Sequence, residues 1–252
     1  MVLKLFDRRF VAELRKKERI DPWTTDIEQQ YYHFVVNGSA SKFITKLNSN
    51  SEMAEEDGDT WNVPENEAYI HDYMKDLCKR EVEVYNTLKD IQGHVIPQLF
   101  ACLTVPSSSS SPAESVNKYI EIPGILLQYI DGFPLRDIAA HAPMAAWQII
   151  CDDAIQIVNL MSHRGILNEN VTTWSFIVQV SPGNKLQVFM KDFALCDFRR
   201  EFEDEEDWRQ SQAHQDEEGA VGYVMQRYLE GGFVYQRSAL YERLDQDFMM
   251  EG

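Results

Sequence analysis

Apolar residues recur at helical spacing along several stretches of the chain, and the longest of these predicts a helix over residues 65–91. One position interrupts the apolar stripe of this helix. Glu81 lies one turn after Leu77 and nearly one turn before Val84. A carboxylate on a buried helix face is costly unless a cation pairs with it. The pattern therefore leaves two interpretations open: Glu81 is buried and paired, or it lies at the edge of the stripe in water.

Shorter helical patterns predict further helices on either side of this one. Two polar stretches, residues 48–59 and 107–111, are predicted to be loops. The acidic run at residues 201–207 is typical of a solvated loop or helix face rather than of a metal site. The shorter predicted helices cover residues 7–19, 27–36, 40–47, 145–161, 220–229 and 238–248.

Alternating apolar residues predict strands. Residues 2–6, 96–105 and 119–130 give a short strand, a longer strand and a hairpin or kinked strand. A further hairpin is predicted at residues 176–190, with its turn at residues 181–184. Asp192 follows that hairpin directly. A rigid scaffold can present a carboxylate in this position to a metal, and the alternative is that Asp192 caps a turn.

Composition restricts the classes of function. The chain has 252 residues with 24 basic and 41 acidic side chains, a formal net charge of −17, and a pI near 4.7. This charge disfavours non-specific binding to nucleic acid or to an anionic membrane surface. No apolar run approaches the roughly 20 residues of a membrane span. The four scattered cysteines predict reduced thiols and hence a cytoplasmic or nuclear, intracellular protein.

The order of a long helix, a polar loop, a hairpin and the pair Asp192-Phe193 resembles the catalytic core of the protein kinase-like superfamily. The sequence at residues 86–90 (NTLKD) and 165–168 (GILN) is most similar to that of fungal protein kinase-like proteins. The resemblance implies an α+β, two-lobed fold in a single domain over residues 1–252. Its N-lobe would cover residues 1–130, with a helical insertion at 7–59, and its short helical C-lobe residues 131–252. Since no glycine precedes Gly38, the first two strands of the N-lobe are expected to be missing.

The resemblance also assigns candidate site residues for ATP and Mg²⁺. Lys4 would hold the nucleotide phosphates and pair with Glu81, although a lysine between apolar neighbours is usually an edge-strand charge in water. Asp192 would bind the metal. Asp216, at the start of a predicted helix, would bind the catalytic-loop backbone, with an N-cap as the alternative. In the hinge, Leu127 would be the gatekeeper residue, and the backbone of Gln128 and Ile130 would bind the adenine.

The polar loop, residues 167–174, can be aligned with the kinase catalytic loop in two ways. In the first, Ser175 takes the place of the metal-binding Asn and Asn170 that of the catalytic Asp. In the second, His163-Arg164-Gly165 is set against His-Arg-Asp and Asn170 against the metal-binding Asn. The first is preferred, because the second leaves residues 171–174 as an excess before the strand. Neither alignment supplies the catalytic Asp.

These departures from the kinase pattern leave three functions open. The first is a pseudokinase that binds a protein partner, with weak or lost ATP binding. The second is an active atypical kinase that transfers phosphate slowly, since phosphoryl transfer depends mainly on positioning and electrostatics. The third is an acidic interaction module without a nucleotide site. The replacement of the usual Gly after Asp-Phe by Ala194 also narrows the backbone freedom of the metal-binding loop.

Overall fold

The computed structural model describes residues 1–50, 60–106, 114–181, 183 and 185–248, and it is a mixed helix-and-sheet fold. The chain divides into two compact units. The N-terminal unit contains Val2–Lys79 and Phe100–Leu126, and the C-terminal unit contains Met1, Arg80–Leu99 and Leu127–Gly252. The segment Arg80–Leu99, which the sequence places in the N-lobe, is therefore grouped with the C-terminal unit.

A three-stranded sheet has the order β1-β3-β2. It is formed by β1 (Val2–Leu5), β2 (Leu99–Val105) and β3 (Ile122–Leu127). A Cβ at Gly124 would lie 2.9 Å from the Lys4 carbonyl oxygen, so glycine allows the close approach of β3 to β1. The predicted strand at the N-terminus is confirmed, and the predicted hairpin or kinked strand at 119–130 is one strand, β3.

The helices of the N-terminal unit surround an apolar core. They are α1 (Ala12–Lys17), α2 (Thr25–Val36), α3 (Ser39–Ser49), the first part of α4 (Val63–Thr87) and α5 (Glu114–Asn117). Residues of α2, α3 and α4 meet in a buried cluster of Tyr31, Val35, Ala40, Phe43, Ile44, Ala68, Tyr119 and Ile120. Most of the predicted loop at 48–59 and all of that at 107–111 lie outside the described residues.

Buried charges also hold this unit together. Arg8 and Arg15 both donate to Glu67 of α4, and all three side chains are buried. The Arg8 guanidinium also lies over the Tyr31 ring, 4.3 Å from its centroid. Removing one partner of such a network would leave a buried charge uncompensated.

The helix α4 confirms the predicted long helix, although it ends at Thr87 and is followed by a 3-10 turn at Lys89–Ile91. The Glu81 side chain is completely buried. The interpretation that Glu81 is solvated is therefore wrong.

The C-terminal unit contains two small antiparallel sheets. The strands β4 (Gly132–Pro134), β6 (Phe176–Ser181) and β7 (Lys185–Met190) have the order β4-β6-β7, and β5 (Ile166–Asn168) pairs with β8 (Cys196–Phe198). The predicted hairpin is confirmed: β6 and β7 pair from Phe176↔Met190 to Ser181↔Lys185. Two residues of its turn, Pro182 and Asn184, lie outside the described residues.

Helices pack around these sheets. They are α6 (Ile138–His141), α7 (Trp147–His163), α8 (Glu205–Gln215), α9 (Glu217–Tyr228) and α10 (Ala239–Phe248). The acidic run at residues 201–207, predicted to be a solvated loop or helix face, is mostly exposed and leads into α8, a helix that was not predicted. Asp204 caps it by accepting from the Glu206 and Asp207 amides at 2.9 and 3.0 Å. The acidic residues therefore form its first turn, where the helix dipole favours negative charge. Among the described residues, no helix is both long and apolar enough to cross a membrane.

Candidate functional site

The short pairing of β5 with β8 brings two distant segments of the C-terminal unit together. Its register runs from Ile166↔Phe198 to Asn168↔Cys196. Beyond the pairing, the Glu169 amide donates to the Leu195 carbonyl at 3.0 Å. The polar loop that carries Asn170 therefore lies beside the segment that follows Asp192.

Asn168 joins these segments with three hydrogen bonds and is itself buried. Its side-chain amide donates to the Asp192 carbonyl oxygen at 3.1 Å, and its side-chain oxygen accepts from the Asn170 amide at 3.0 Å. Its backbone amide donates to Glu217 at 2.8 Å. Local sequence patterns gave no signal for Asn168 as a site residue, because its role depends on partners 24 and 49 residues away.

The structure places Asn170 and Ser175 in the same loop. Asn170 is exposed, whereas Ser175 is buried directly before β6. The Ser175 hydroxyl accepts from the Thr172 amide at 3.1 Å and donates to the Asn170 carbonyl at 3.4 Å. The Ser175 carbonyl accepts from the Lys191 amide at 2.8 Å, which holds this loop against the residue preceding Asp192.

Asp192 has a left-handed backbone conformation, with φ at 67°. For a residue with a Cβ this conformation costs about 1–2 kcal/mol, and such strain is concentrated at functional sites. The Asp192 carboxylate is half exposed and pairs with Lys191. The next residue, Phe193, is fully buried and packs edge-to-face on Tyr85 at 5.3 Å between ring centroids.

Tyr85 is a fully buried residue of α4. Burial raises the pKa of the Tyr85 hydroxyl well above its usual value, and the charges of Glu81 and Asp192 raise the pKa further. Tyr85 shares the buried stripe of α4 with Glu81.

The prediction that Asp216 binds the catalytic-loop backbone is wrong, because the neighbouring residue makes that contact. Asp216 caps α9 by accepting from the Gly219 amide at 3.0 Å, and it pairs with Arg237 at 2.7 Å. Glu217 reaches the loop instead, by accepting from Asn168. Glu217 has the i, i+4 spacing to Val221 that defines the buried face of α9, and this spacing was the sequence signal available for it.

Glu217 is fully buried, and burial raises the pKa of its carboxyl group to about 8, with the Asn168 hydrogen bond lowering it in part. The second carboxyl oxygen has no hydrogen-bond partner among the residues that the structure describes. A buried carboxyl group in this setting keeps its proton at neutral pH. The contact between Glu217 and the loop is thus sensitive to protonation.

Ion pairs flank Glu81 on α4. Arg80 pairs with Glu201, which also accepts from the Phe198 amide at 2.8 Å, and Arg200 pairs with Glu83. The Glu83 side chain is exposed. The turn at Arg199–Glu201 is thereby connected to the helix that carries Glu81.

The remaining predicted residues lie on strands and on a connecting segment. Lys4, in β1 of the N-terminal unit, lies 5.4 Å from the Phe6 ring centroid, and its pairing with Glu81 stays a prediction. Leu127 ends β3 and is buried, as is Ile130. The Gln128 amide donates to the Gln98 carbonyl at 2.8 Å, and the Gln98 amide donates to the Gln128 side chain at 3.1 Å.

The donors suit a magnesium ion only in part. Mg²⁺ is commonly held by one or two carboxylates together with substrate phosphates. Asp192 can take this role, because its carboxylate is half exposed, and a metal would have to compete with its ion pair to Lys191. Ser175 does not fit as it stands, because its hydroxyl is already engaged with Thr172 and Asn170. The described residues contain no cluster of three His, Cys, Asp or Glu side chains suited to a metal.

No protein-family model matches the chain, and no curated protein matches it. Two solved structures with similarity to part of it are protein kinase structures. The crystal structure of the Rad53 kinase domain and SCD2 is 18% identical at a TM-score of 0.42, over 67% of this chain and 59% of that one. The bifunctional kinase-methyltransferase WbdD is 11% identical at a TM-score of 0.37, over 71% of this chain and 37% of that one. The chain thus spans 59% and 37% of these two structures, and likenesses this weak decide neither its fold nor its function.

Proposed function

We propose that this chain is a protein kinase-like domain that lacks the catalytic base and acts by binding a protein partner, with weak binding of ATP and Mg²⁺. The observation that carries the proposal is the junction at Asn168. One side chain there bonds both to the Asn170 amide and to the Asp192 carbonyl. Such a junction suits a loop and a metal-binding carboxylate that work together.

The loop contacts favour the alignment in which Asn170 takes the position of the catalytic Asp. In the other alignment, His163-Arg164-Gly165 would carry that function, but these residues end α7. His163 bonds to the Asn159 carbonyl, Arg164 pairs with Asp90, and Gly165 has a left-handed φ of 70°. All three residues thus have a structural role at a helix end.

The loss of the base is the main argument against efficient catalysis. An amide does not accept a proton as a carboxylate does, so Asn170 can position a hydroxyl group but cannot take its proton. The engaged Ser175 hydroxyl weakens the metal site further. Asp192 would then be the principal protein ligand of the metal, which would supply charge neutralisation for the nucleotide phosphates.

The remaining nucleotide contacts are part of the same proposal. Lys4 would hold the phosphates, with Glu81 as its partner. The Gln128 amide is already engaged by Gln98, so the adenine contact there would come from the Gln128 carbonyl oxygen, together with the Ile130 backbone. The buried Leu127 would line the adenine pocket.

Titration with ATP and MgCl₂, followed by the thermal unfolding midpoint, tests this proposal. We expect a small, saturable increase in the wild type, because a ligand that binds only the folded state stabilises it. Asp192→Ala should abolish the increase, and Glu203→Ala, which removes an exposed carboxylate just before α8, should leave it unchanged.

A specific observation favours one other function. Because the Ser175 hydroxyl is engaged within its own loop, Asp192 is left as the single candidate carboxylate ligand, which suits an acidic interaction module without nucleotide binding. A folded wild type that shows no thermal shift at any ATP concentration would select that module and refute the nucleotide-binding part of the proposal.

A further inference from the structure

An open cavity of about 630 Å³ lies within the C-terminal unit, between α7 and the strand β7. His94 and Val95, from the segment that precedes β2, also line it. Cavities of roughly 300–1,000 Å³ are the usual size for small-molecule sites. None of the residues that line this cavity has a role in the proposed kinase-like function.

One face of α7 forms the first wall. Its lining side chains have the i, i+3, i+4, i+7 spacing of a single helix face: Asp153, Gln156, Ile157 and Leu160. The Asp153 carboxylate and the Gln156 side-chain amide form no hydrogen bond or ion pair within the described part of the chain. Burial and the charge of neighbouring Asp152 raise the pKa of the Asp153 carboxyl group. A cation placed beside Asp153 would therefore stabilise its charged form.

The opposite wall is β7, which lies at the edge of its sheet. The Met190 amide donates to the Val95 carbonyl at 2.8 Å and so points away from β6. Because hydrogen bonding alternates along an antiparallel strand, the amides of Leu186 and Val188 also point to the open edge. Lys185, at the start of the strand, is exposed and forms no ion pair with any described residue. This wall thus offers an ammonium group and peptide donors.

The space between the walls is apolar at its base and closed at one end. The Gln187 side chain closes that end by donating to the His94 carbonyl at 2.5 Å. The base consists of the aliphatic side chains of Val95, Ile157, Leu160, Leu186 and Val188. A carboxylate on one wall and an ammonium group on the other, which do not pair with each other, are the complement of a small apolar molecule that carries both charges.

We propose that this cavity binds a free α-amino acid with an apolar side chain. The ligand ammonium group would pair with Asp153 and donate to the Gln156 side-chain oxygen. The ligand carboxylate would accept from Lys185 and from the edge amides of β7, and the apolar side chain would lie on the aliphatic base. Charge-assisted hydrogen bonds at both ends would supply the selectivity for a zwitterion.

L-Phenylalanine is a suitable probe, and isothermal titration calorimetry on the full chain at neutral pH measures its binding. Two analogues each lack one charge: phenethylamine has no carboxylate, and 3-phenylpropanoate has no ammonium group. We expect saturable binding of phenylalanine and at least about tenfold weaker binding of each analogue. Glycine, which lacks the apolar group, should also bind at least about tenfold more weakly.

Two variants assign the charges to the two walls. Asp153→Asn should weaken phenylalanine binding by about tenfold and leave the affinity for 3-phenylpropanoate no lower than in the wild type. Lys185→Met should weaken phenylalanine binding by about tenfold and leave the affinity for phenethylamine no lower. A variant that merely disturbed the fold would weaken both of its ligands. The matched controls Asp26→Asn and Lys17→Met change exposed residues of the N-terminal unit and should bind phenylalanine like the wild type.

The result is independent of the nucleotide proposal, because Asp192→Ala should bind phenylalanine like the wild type. Equal affinities for phenylalanine and its two analogues would overturn the inference. An unchanged phenylalanine affinity in Asp153→Asn, or no saturable binding up to about 10 mM, would overturn it as well.

Discussion

The buried carboxyl group of Glu217 gives the sharpest quantitative prediction, which concerns the variant Glu217→Gln. Burial raises the pKa of Glu217 to about 8 in the folded protein, against 4.5 as its ordinary value. Between these two pH values the folded state keeps a proton that the unfolded state has lost. The folded state therefore binds more protons, and its stability falls as pH rises.

The magnitude follows from this difference of one proton. The Glu217 contribution is fully present below about pH 4.5 and is lost as pH rises towards 8. Over the middle of this pH window the Glu217 contribution to the free energy of unfolding falls by about 1.4 kcal/mol for each pH unit. Glutamine has a similar shape, can still accept from the Asn168 amide, and does not titrate. The free energy of unfolding of Glu217→Gln minus that of the wild type should therefore increase by about 1.4 kcal/mol per pH unit between pH 5.5 and 7.5.

Urea unfolding at several pH values measures this difference. Subtracting the wild type cancels other titrating groups, such as His71, whose pKa burial lowers to about 3 in both proteins. The exposed Glu203→Gln is the matched control and should give a curve parallel to the wild type. If the Glu217→Gln curve is also parallel to the wild type, then Glu217 does not hold a proton in the folded state and the reasoning is refuted.

Three further predictions concern the contacts around the site. Asn168→Ala should lower the free energy of unfolding by about 1–3 kcal/mol and abolish the ATP-dependent thermal shift, and an unchanged shift would contradict the role of the Asn168 junction. Gly165→Ala should lower the free energy of unfolding, measured in urea, by about 1–2 kcal/mol. The reason is that Gly165 has a φ of 70° and that an added Cβ would lie 3.2 Å from the Arg199 Cβ; a variant as stable as the wild type would contradict this reasoning. A charge-reversal cycle with Arg80→Glu and Glu201→Arg should show that the double variant is less destabilised than the sum of the two single variants, by up to about 1 kcal/mol, and purely additive losses would show that the pair does not interact.

Local periodicity accounts for the elements that the sequence predicted well. The long helix α4 and the hairpin of β6 and β7 have apolar residues at clear helical or alternating spacing. The helix α8 was missed, because only Trp208 and Ala213 are apolar among its buried residues and its first turn is acidic. The start of α8 is fixed by the Asp204 cap and is not marked by an apolar stripe.

The site was only partly predictable for a different reason. Asp192 and Asn170 could be proposed from their place relative to the hairpin, but the role of Asn168 depends on the pairing of β5 with β8. Whether Asp216 or Glu217 contacts the loop depends on which side of α9 each residue occupies. This helix begins after Asp216, whose backbone is left-handed. Contacts between residues so far apart in sequence leave little local signal.

The most direct test of the central claim is a phosphotransfer assay with labelled ATP and MgCl₂ that compares the wild type, Asn170→Asp and the double variant Asn170→Asp with Asp192→Ala. We expect the wild type to remain at background, Asn170→Asp to transfer phosphate measurably, and the double variant to return to background. A wild type that transfers phosphate as fast as Asn170→Asp would contradict the claim that this is a kinase-like domain without its catalytic base.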